Sequence, residues 1–271
     1  MPFTFSHPAI ILPLKNIFGK WVSLTGLIIG SLTPDFEYFL RMKIQSDYSH
    51  TIIGTLWFNL PLGILLCFIF HDIIKKPLIE NSPNFIQSRM KELKSLNWKE
   101  YFMKNWITVS LSVVIGAYSH IFWDSFTHSH SFFTNFFELN RKIEGTDIPI
   151  FKILQHLSTV IGGIIIIRYF LKQKTEIIDY SEQNIKYWIN IIILTISILT
   201  VRIYLGLRIT EYGNIIVSGI ASGMIALTFV SLYEQRKTGG NTVHNLLLVD
   251  FSVGKISDAS NVGCFFTILV S

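Results

Sequence analysis

Apolar runs separated by short polar stretches fill most of the chain. The first two, residues 7–18 and 21–36, are divided by Gly19-Lys20. Each is shorter than the about 20 residues needed to cross a ~30 Å hydrocarbon core. They predict a hairpin of two short helices, which returns His7 and Asp35 to the same side. Longer runs at 51–70, 106–124, 151–171, 187–205 and 214–232 predict five further membrane helices, the first interrupted by Pro61 and Gly63. In the basic stretch 71–105, Phe85, Ile86, Met90, Leu93 and Leu96 recur at helical spacing and predict an amphipathic helix at the interface. The expected fold is all-α, a polytopic membrane helix bundle of about seven segments over residues 1–235. Residues 236–271 show no clear span or periodicity and are expected to form a weakly ordered tail.

Composition agrees with a membrane protein. Charged residues make up 15% of the chain and hydrophobic ones 50%, against about 25% charged in a soluble domain. The opening residues lack the basic region and cleavage site of a secretory leader, so none is expected. The net charge of +5 raises nucleic acid as a partner, but Lys and Arg lie in loops between apolar runs, where topology and anionic lipid headgroups account for them. No nucleic-acid partner is expected; membrane lipid is. Cys67 and Cys264 lie far apart in apolar surroundings and imply no disulfide framework.

Loop charge also orients the bundle. Thirteen Lys and Arg residues fall on one side, from Lys20 to Lys237, and five on the other: Arg41, Lys43, Arg141, Lys142 and Arg208. The richer side is expected to be cytoplasmic, with the N-terminus outside in a bacterial cytoplasmic membrane.

The candidate chemistry centres on Ser119-His120-Ile121-Phe122-Trp123-Asp124-Ser125-Phe126-Thr127-His128. On a helix, His120, Asp124 and His128 share one face. The predicted topology brings His7, Asp35, His50 and His156 to the same membrane face as this stripe. Imidazoles and carboxylates clustered at helix ends suit a divalent metal, zinc foremost, as one or two ions. The candidate ligands are His7, Asp35, His50, His120, Asp124, His128 and His156, with Asp35 and Glu37 as candidate catalytic carboxylates. Glu37, beside Tyr38 and Arg41, equally suits an interfacial ion pair. The alternative for the whole cluster is a hydrogen-bond network without metal. His71 and His244 are expected to contact headgroups or water, and His130 to be a solvated loop residue. Gly162-Gly163 and Gly219-x3-Gly223 are expected to mark close helix packing.

Several separated motifs resemble the bacterial membrane proteins grouped as domain of unknown function 4184. They are Met-Pro-Phe-Thr-Phe-Ser-His-Pro-Ala at 1–9, Gly-Ser-Leu-Thr-Pro-Asp-Phe-Glu-Tyr-Phe at 30–39 and Tyr-Ser-His-Thr at 48–51. The resemblance continues through the stretch at 119–128 and Pro-Ile-Phe-Lys-Ile-Leu-Gln-His at 149–156. The order of these motifs is more distantly similar to inner-membrane metal-dependent hydrolases, and loosely to zinc-dependent phospholipase C and P1-type nucleases. That similarity implies phosphoester hydrolysis, carried onto His7, Asp35, His50, His120, Asp124 and His128. The His-x3-Glu pair of the zinc phospholipases is absent, since Val160 stands four residues after His156. The leading expectation is a hydrolase of a phosphoester or lipid-linked substrate at the extracytoplasmic face. A metal-stabilised scaffold and a transporter are the alternatives.

Overall fold

Among the described residues of the computed structural model, five helices are long and apolar enough to cross a membrane, and a short hairpin precedes them. The structure describes residues 3–176 and 180–253, with side chains through residue 237. The hairpin is α1 (Pro8–Phe18) and α2 (Leu24–Leu32), followed by the short α3 (Phe36–Arg41). The candidate spans include α4 (Ile52–Glu80). After the short α5 (Asn84–Gln87) and α6 (Lys91–Ser95) come the spans α7 (Trp98–Thr127), α9 (Ile150–Leu171) and α10 (Ile185–Tyr204), with the short α8 (Phe132–Phe136) between the first two. The last helix, α11 (Tyr212–Val253), carries the fifth candidate span over Tyr212–Lys237. No strand occurs among the described residues, only an isolated bridge between Lys142 and Pro149. The chain divides into units Met1–Leu232 and Tyr233–Ser271. The weakly ordered tail expected at 236–271 falls largely outside the residues whose side chains are described.

Local chemistry sets the helix ends. Ser23, Thr51 and Asn97 each accept a hydrogen bond from a backbone N–H of the first turn, satisfying a donor that the helix itself leaves unpaired. In α4 a π-helical turn at Thr55–Asn59 ends just before Pro61, which has no N–H to give to the preceding turn. At the other end of the bundle the expected amphipathic helix over 71–105 is replaced. α4 runs on to Glu80, and two short helices follow. Pro83 interrupts the first junction, and Leu96 is extended before α7 begins. Polar contacts hold this segment against the start of α10: Trp188 Nε1 donates to Asn81 O at 2.8 Å, and Gln87 Nε2 donates to Ser82 O and Ser181 O.

α2 crosses α7 at glycine contacts. A Cβ on Gly30 would lie 2.2 Å from Val113 O, and one on Gly116 would lie 2.4 Å from Leu27 O. Small residues here let the two backbones touch, a common device where helices pack within lipid. Ser23 N also donates to Ser112 Oγ at 2.8 Å across this junction. Gly162 brings α9 against Ser6, as the close-packing expectation requires, but Gly163, Gly219 and Gly223 face open space. For those three the expectation fails among the described residues, since nothing there lies within 4 Å of an added Cβ. Isoleucines of α9 and α10 such as Ile164, Ile192 and Ile196 are exposed, as suits helices facing hydrocarbon.

Candidate metal centre

The α2–α7 crossing fixes the site. On α7 the contact stripe Ser112, Gly116, His120 and Asp124 advances four residues at a time, so close approach at Gly116 carries His120 inward one turn later. His120 is fully buried, and its Nδ1 lies 2.8 Å from Ser31 O at the end of α2. A carbonyl only accepts, so Nδ1 donates. In the neutral ring Nε2 then carries the lone pair and points to the other side.

The same logic applies to His50. Its Nδ1 is 2.9 Å from Ser46 Oγ and 3.1 Å from Ser49 Oγ. Ser49 Oγ donates to Pro34 O at 2.6 Å, and Ser46 Oγ has Glu37 Oε2 at 3.1 Å and Ser49 Oγ at 2.8 Å as acceptors. With the hydroxyl protons directed to oxygens, Nδ1 of His50 donates and Nε2 again carries the lone pair.

These two Nε2 atoms converge with Asp35 Oδ1 and Asp124 Oδ2. His120 Nε2 is 3.5 Å from Asp35 Oδ1 and 3.1 Å from Asp124 Oδ2; His50 Nε2 is 3.5 Å and 3.6 Å from the same atoms. All four atoms are buried, yet none makes a hydrogen bond. Four buried polar atoms left unpaired at one point call for an explanation, since each would cost about 1–3 kcal/mol.

Asp35, His50, His120 and Asp124 can hold a metal ion, their donor atoms all lying within 4.8 Å of one another. Two carboxylates and two neutral imidazoles carry a charge that a divalent cation balances. The four His–Asp separations of 3.1–3.6 Å are close to the roughly 3 Å spacing of neighbouring ligand atoms around one ion with metal–ligand bonds of about 2 Å. Among the four side chains His50 is the most open, at 22% exposure.

The remaining candidates lie around this centre. His7 is fully buried, stacked on His120 with ring centroids 3.7 Å apart. Its Nε2 is 3.1 Å from Asp124 Oδ1, the carboxylate oxygen turned away from the convergence point, and its Nδ1 is 3.1 Å from Thr4 O. His7 therefore packs against Asp124 from the side away from the convergence point. Thr4 Oγ1 orients Asp35 by donating to Oδ2. His128 Nδ1 lies 3.5 Å from Asp124 Oδ1, and its side chain is 30% exposed at the rim. His156 is exposed on α9, lining a separate open pocket with Asp147, Lys152 and Val160.

Glu37 stands apart from the four donors. Its carboxylate accepts from Arg41 Nε and Nη2 at 3.0 and 2.8 Å, and from the backbone N–H groups of Asp47, Tyr48 and Ser49 at 2.9–3.0 Å. Burial disfavours its charge, but the N–H groups of Asp47, Ser49 and Tyr48, with Arg41, outweigh that and bring its pKa down to about 2. The ion-pair reading of Glu37 is the one the geometry bears out. Its role is to pin the 46–49 loop that presents His50.

His71 corrects an expectation. Instead of meeting headgroups, it is buried and stacked on Trp98 at 4.2 Å, with Nε2 3.0 Å from Thr25 Oγ1. Trp98 at the start of α7 covers it, so the ring lies between helices. His130 is exposed, as expected; His244 lies outside the residues whose side chains are described. Sequence reasoning missed Thr4, Ser46 and Ser49. Their only signal was adjacency to the His7, Asp35 and His50 motifs. The carbonyl of Ser31, which fixes His120, leaves no trace in side-chain identity.

No curated protein and no solved structure matches the chain. One family does, over residues 1–232, a stretch that includes every residue of the centre and all of the hairpin. The chain belongs to the family described as Domain of unknown function (DUF4184).

Proposed function

We propose that this integral membrane protein is a metal-dependent hydrolase of phosphoesters, with a zinc-type centre at Asp35, His50, His120 and Asp124 facing the extracytoplasmic side. The observation that carries the reading is the convergence of four buried donor atoms that make no hydrogen bond and all lie within 4.8 Å of one another. Two nitrogen and two carboxylate donors suit zinc better than magnesium, which favours an octahedral oxygen shell. A divalent cation in such a site supplies Lewis acidity toward a phosphoryl oxygen and activates water near neutral pH.

The chain's own residues divide the remaining work. His7 packs against Asp124, Thr4 orients Asp35, and Ser31 O fixes the His120 ring. Glu37 holds the loop that carries His50, the side chain on the accessible side of the cluster. His128, at the rim beside Asp124, is placed to move a proton. In the reaction the water oxygen bonds to phosphorus, the P–O bond to the alcohol breaks, and the departing oxygen takes a proton. The sidedness rests on the loop-charge asymmetry.

One observation favours a second reading. The cluster offers four protein donors, the number that structural zinc sites use, whereas catalytic sites usually keep one position open. A metal-stabilised scaffold would show this arrangement too. Purified protein loaded with zinc or manganese, assayed on soluble and lipid phosphoesters, separates the two. Turnover abolished by chelator and by Asp124→Asn supports the hydrolase. Bound metal that raises thermal stability, with no turnover across the panel, supports the scaffold.

A further inference from the structure

An apolar crevice lies beside the centre, with a volume of about 440 Å³, within the range of small-molecule pockets. Its walls come from the end of α2 and from α3, α4 and α11; Thr228 is the one polar residue among those lining it. Leu32 and Phe36 are among its lining residues and flank in sequence Asp35, whose carboxylate belongs to the metal cluster. The crevice follows α4 between Leu66 and Leu78, a length of about 18 Å at 1.5 Å per residue. That exceeds half of a ~30 Å hydrocarbon core.

We infer that this crevice holds the hydrocarbon chain of a lipid phosphoester, with the phosphate at the Asp35–His50–His120–Asp124 cluster. The inference rests on the hydrolase reading for its headgroup and on the crevice for its chain. Three observations select this occupant. Both α4 and α11 are candidate membrane spans, so the groove between them is bathed in hydrocarbon rather than water. The lining offers almost nothing to a polar ligand. The lining residue Phe36 directly follows Asp35 in the chain, and a cation bound at the cluster would attract an anionic headgroup. A substrate drawn from the bilayer would keep its tail in apolar surroundings throughout and desolvate only its phosphate.

The test uses full-length zinc-loaded protein in nanodiscs and a hexadecyl phosphate bearing a photoreactive diazirine on its chain. Expected are cross-links mapping to α4 between Leu66 and Leu78 and to α11 between Ala221 and Phe229. Ile225→Trp, which narrows the crevice from its 37% exposed rim, should cut that labelling at least about fivefold. It should also lower the kcat/KM ratio of hexadecyl phosphate to p-nitrophenyl phosphate at least about tenfold. Ile193→Trp, on the exposed face of α10, should change neither quantity. Cross-links spread evenly over α9 and α10, or a chain-length ratio unmoved by Ile225→Trp, would overturn the crevice assignment. Crevice labelling without turnover of either ester would instead remove the hydrolase and leave the chain site standing. Turnover with dispersed labelling would do the reverse.

Discussion

Adding one methyl group at Gly116 should disable the metal centre from a turn away. A Cβ there would lie 2.4 Å from Leu27 O, 2.7 Å from Ser31 N and 2.9 Å from Gly30 C. All three are backbone atoms, so no side chain can rotate aside. Restoring ordinary contact requires α2 and α7 to separate by roughly 1 Å in interiors that pack without slack. Such overpacking costs about 1–3 kcal/mol. The displacement acts on the 2.8 Å bond from His120 Nδ1 to Ser31 O, because Ser31 is among the atoms pushed away. Losing the partner that orients a ligating histidine typically lowers metal affinity about 10–100-fold. Gly116→Ala should therefore bind zinc about 10–100-fold more weakly in competition with a chromophoric chelator, and should melt at lower temperature in detergent. Gly219→Ala is the matched control, since a Cβ there meets nothing within 4 Å. Wild-type affinity and melting temperature in Gly116→Ala would refute the claim that this crossing positions His120.

Other consequences follow from the same geometry. Asp35→Asn and Asp124→Asn each remove a charged donor and should weaken zinc binding by at least about 100-fold, read by the same competition. His156→Ala, on an exposed face of α9, should leave metal content unchanged; a loss of metal there would enlarge the centre beyond the four donors. Glu37→Gln should destabilise the fold by at most about 3 kcal/mol near neutral pH. The Glu37 pKa is depressed on folding, so its contribution is fully present above the unfolded value of 4.5 and fades as pH falls toward about 2. The melting-temperature gap between wild type and Glu37→Gln should thus close on acidification below about pH 4. A gap independent of pH would show that Glu37 acts through packing rather than charge.

The strongest sequence signals were the long apolar runs and the His-x3-Asp stripe, since both depend on helical period alone. α9 and α10 begin and end within about two residues of their expected limits. The 71–105 stretch misled because five apolar residues fit helical spacing while Pro83 and the Asn81 contacts favoured breaks. At the site, topology placed Asp35, His50, His120 and Asp124 on one face, and the folded chain brings all four together. It could not separate donors from the residues around them. His7 meets Asp124 Oδ1 whereas His120 faces Oδ2 and Asp35, although the two rings stack on each other. Glu37 was open to a catalytic or an ion-pair reading, and only the folded chain shows its oxygens engaged by Arg41 and the 46–49 loop.

The most direct test is a metal measurement on purified wild-type and His120→Ala protein, each incubated with zinc and desalted. The geometry predicts at least one zinc ion retained per wild-type chain, little in His120→Ala, and a fall in the wild-type melting temperature when chelator strips the ion. Zinc at background in the wild type, with a melting temperature indifferent to chelator, would contradict a metal centre and leave the cluster as a hydrogen-bond network.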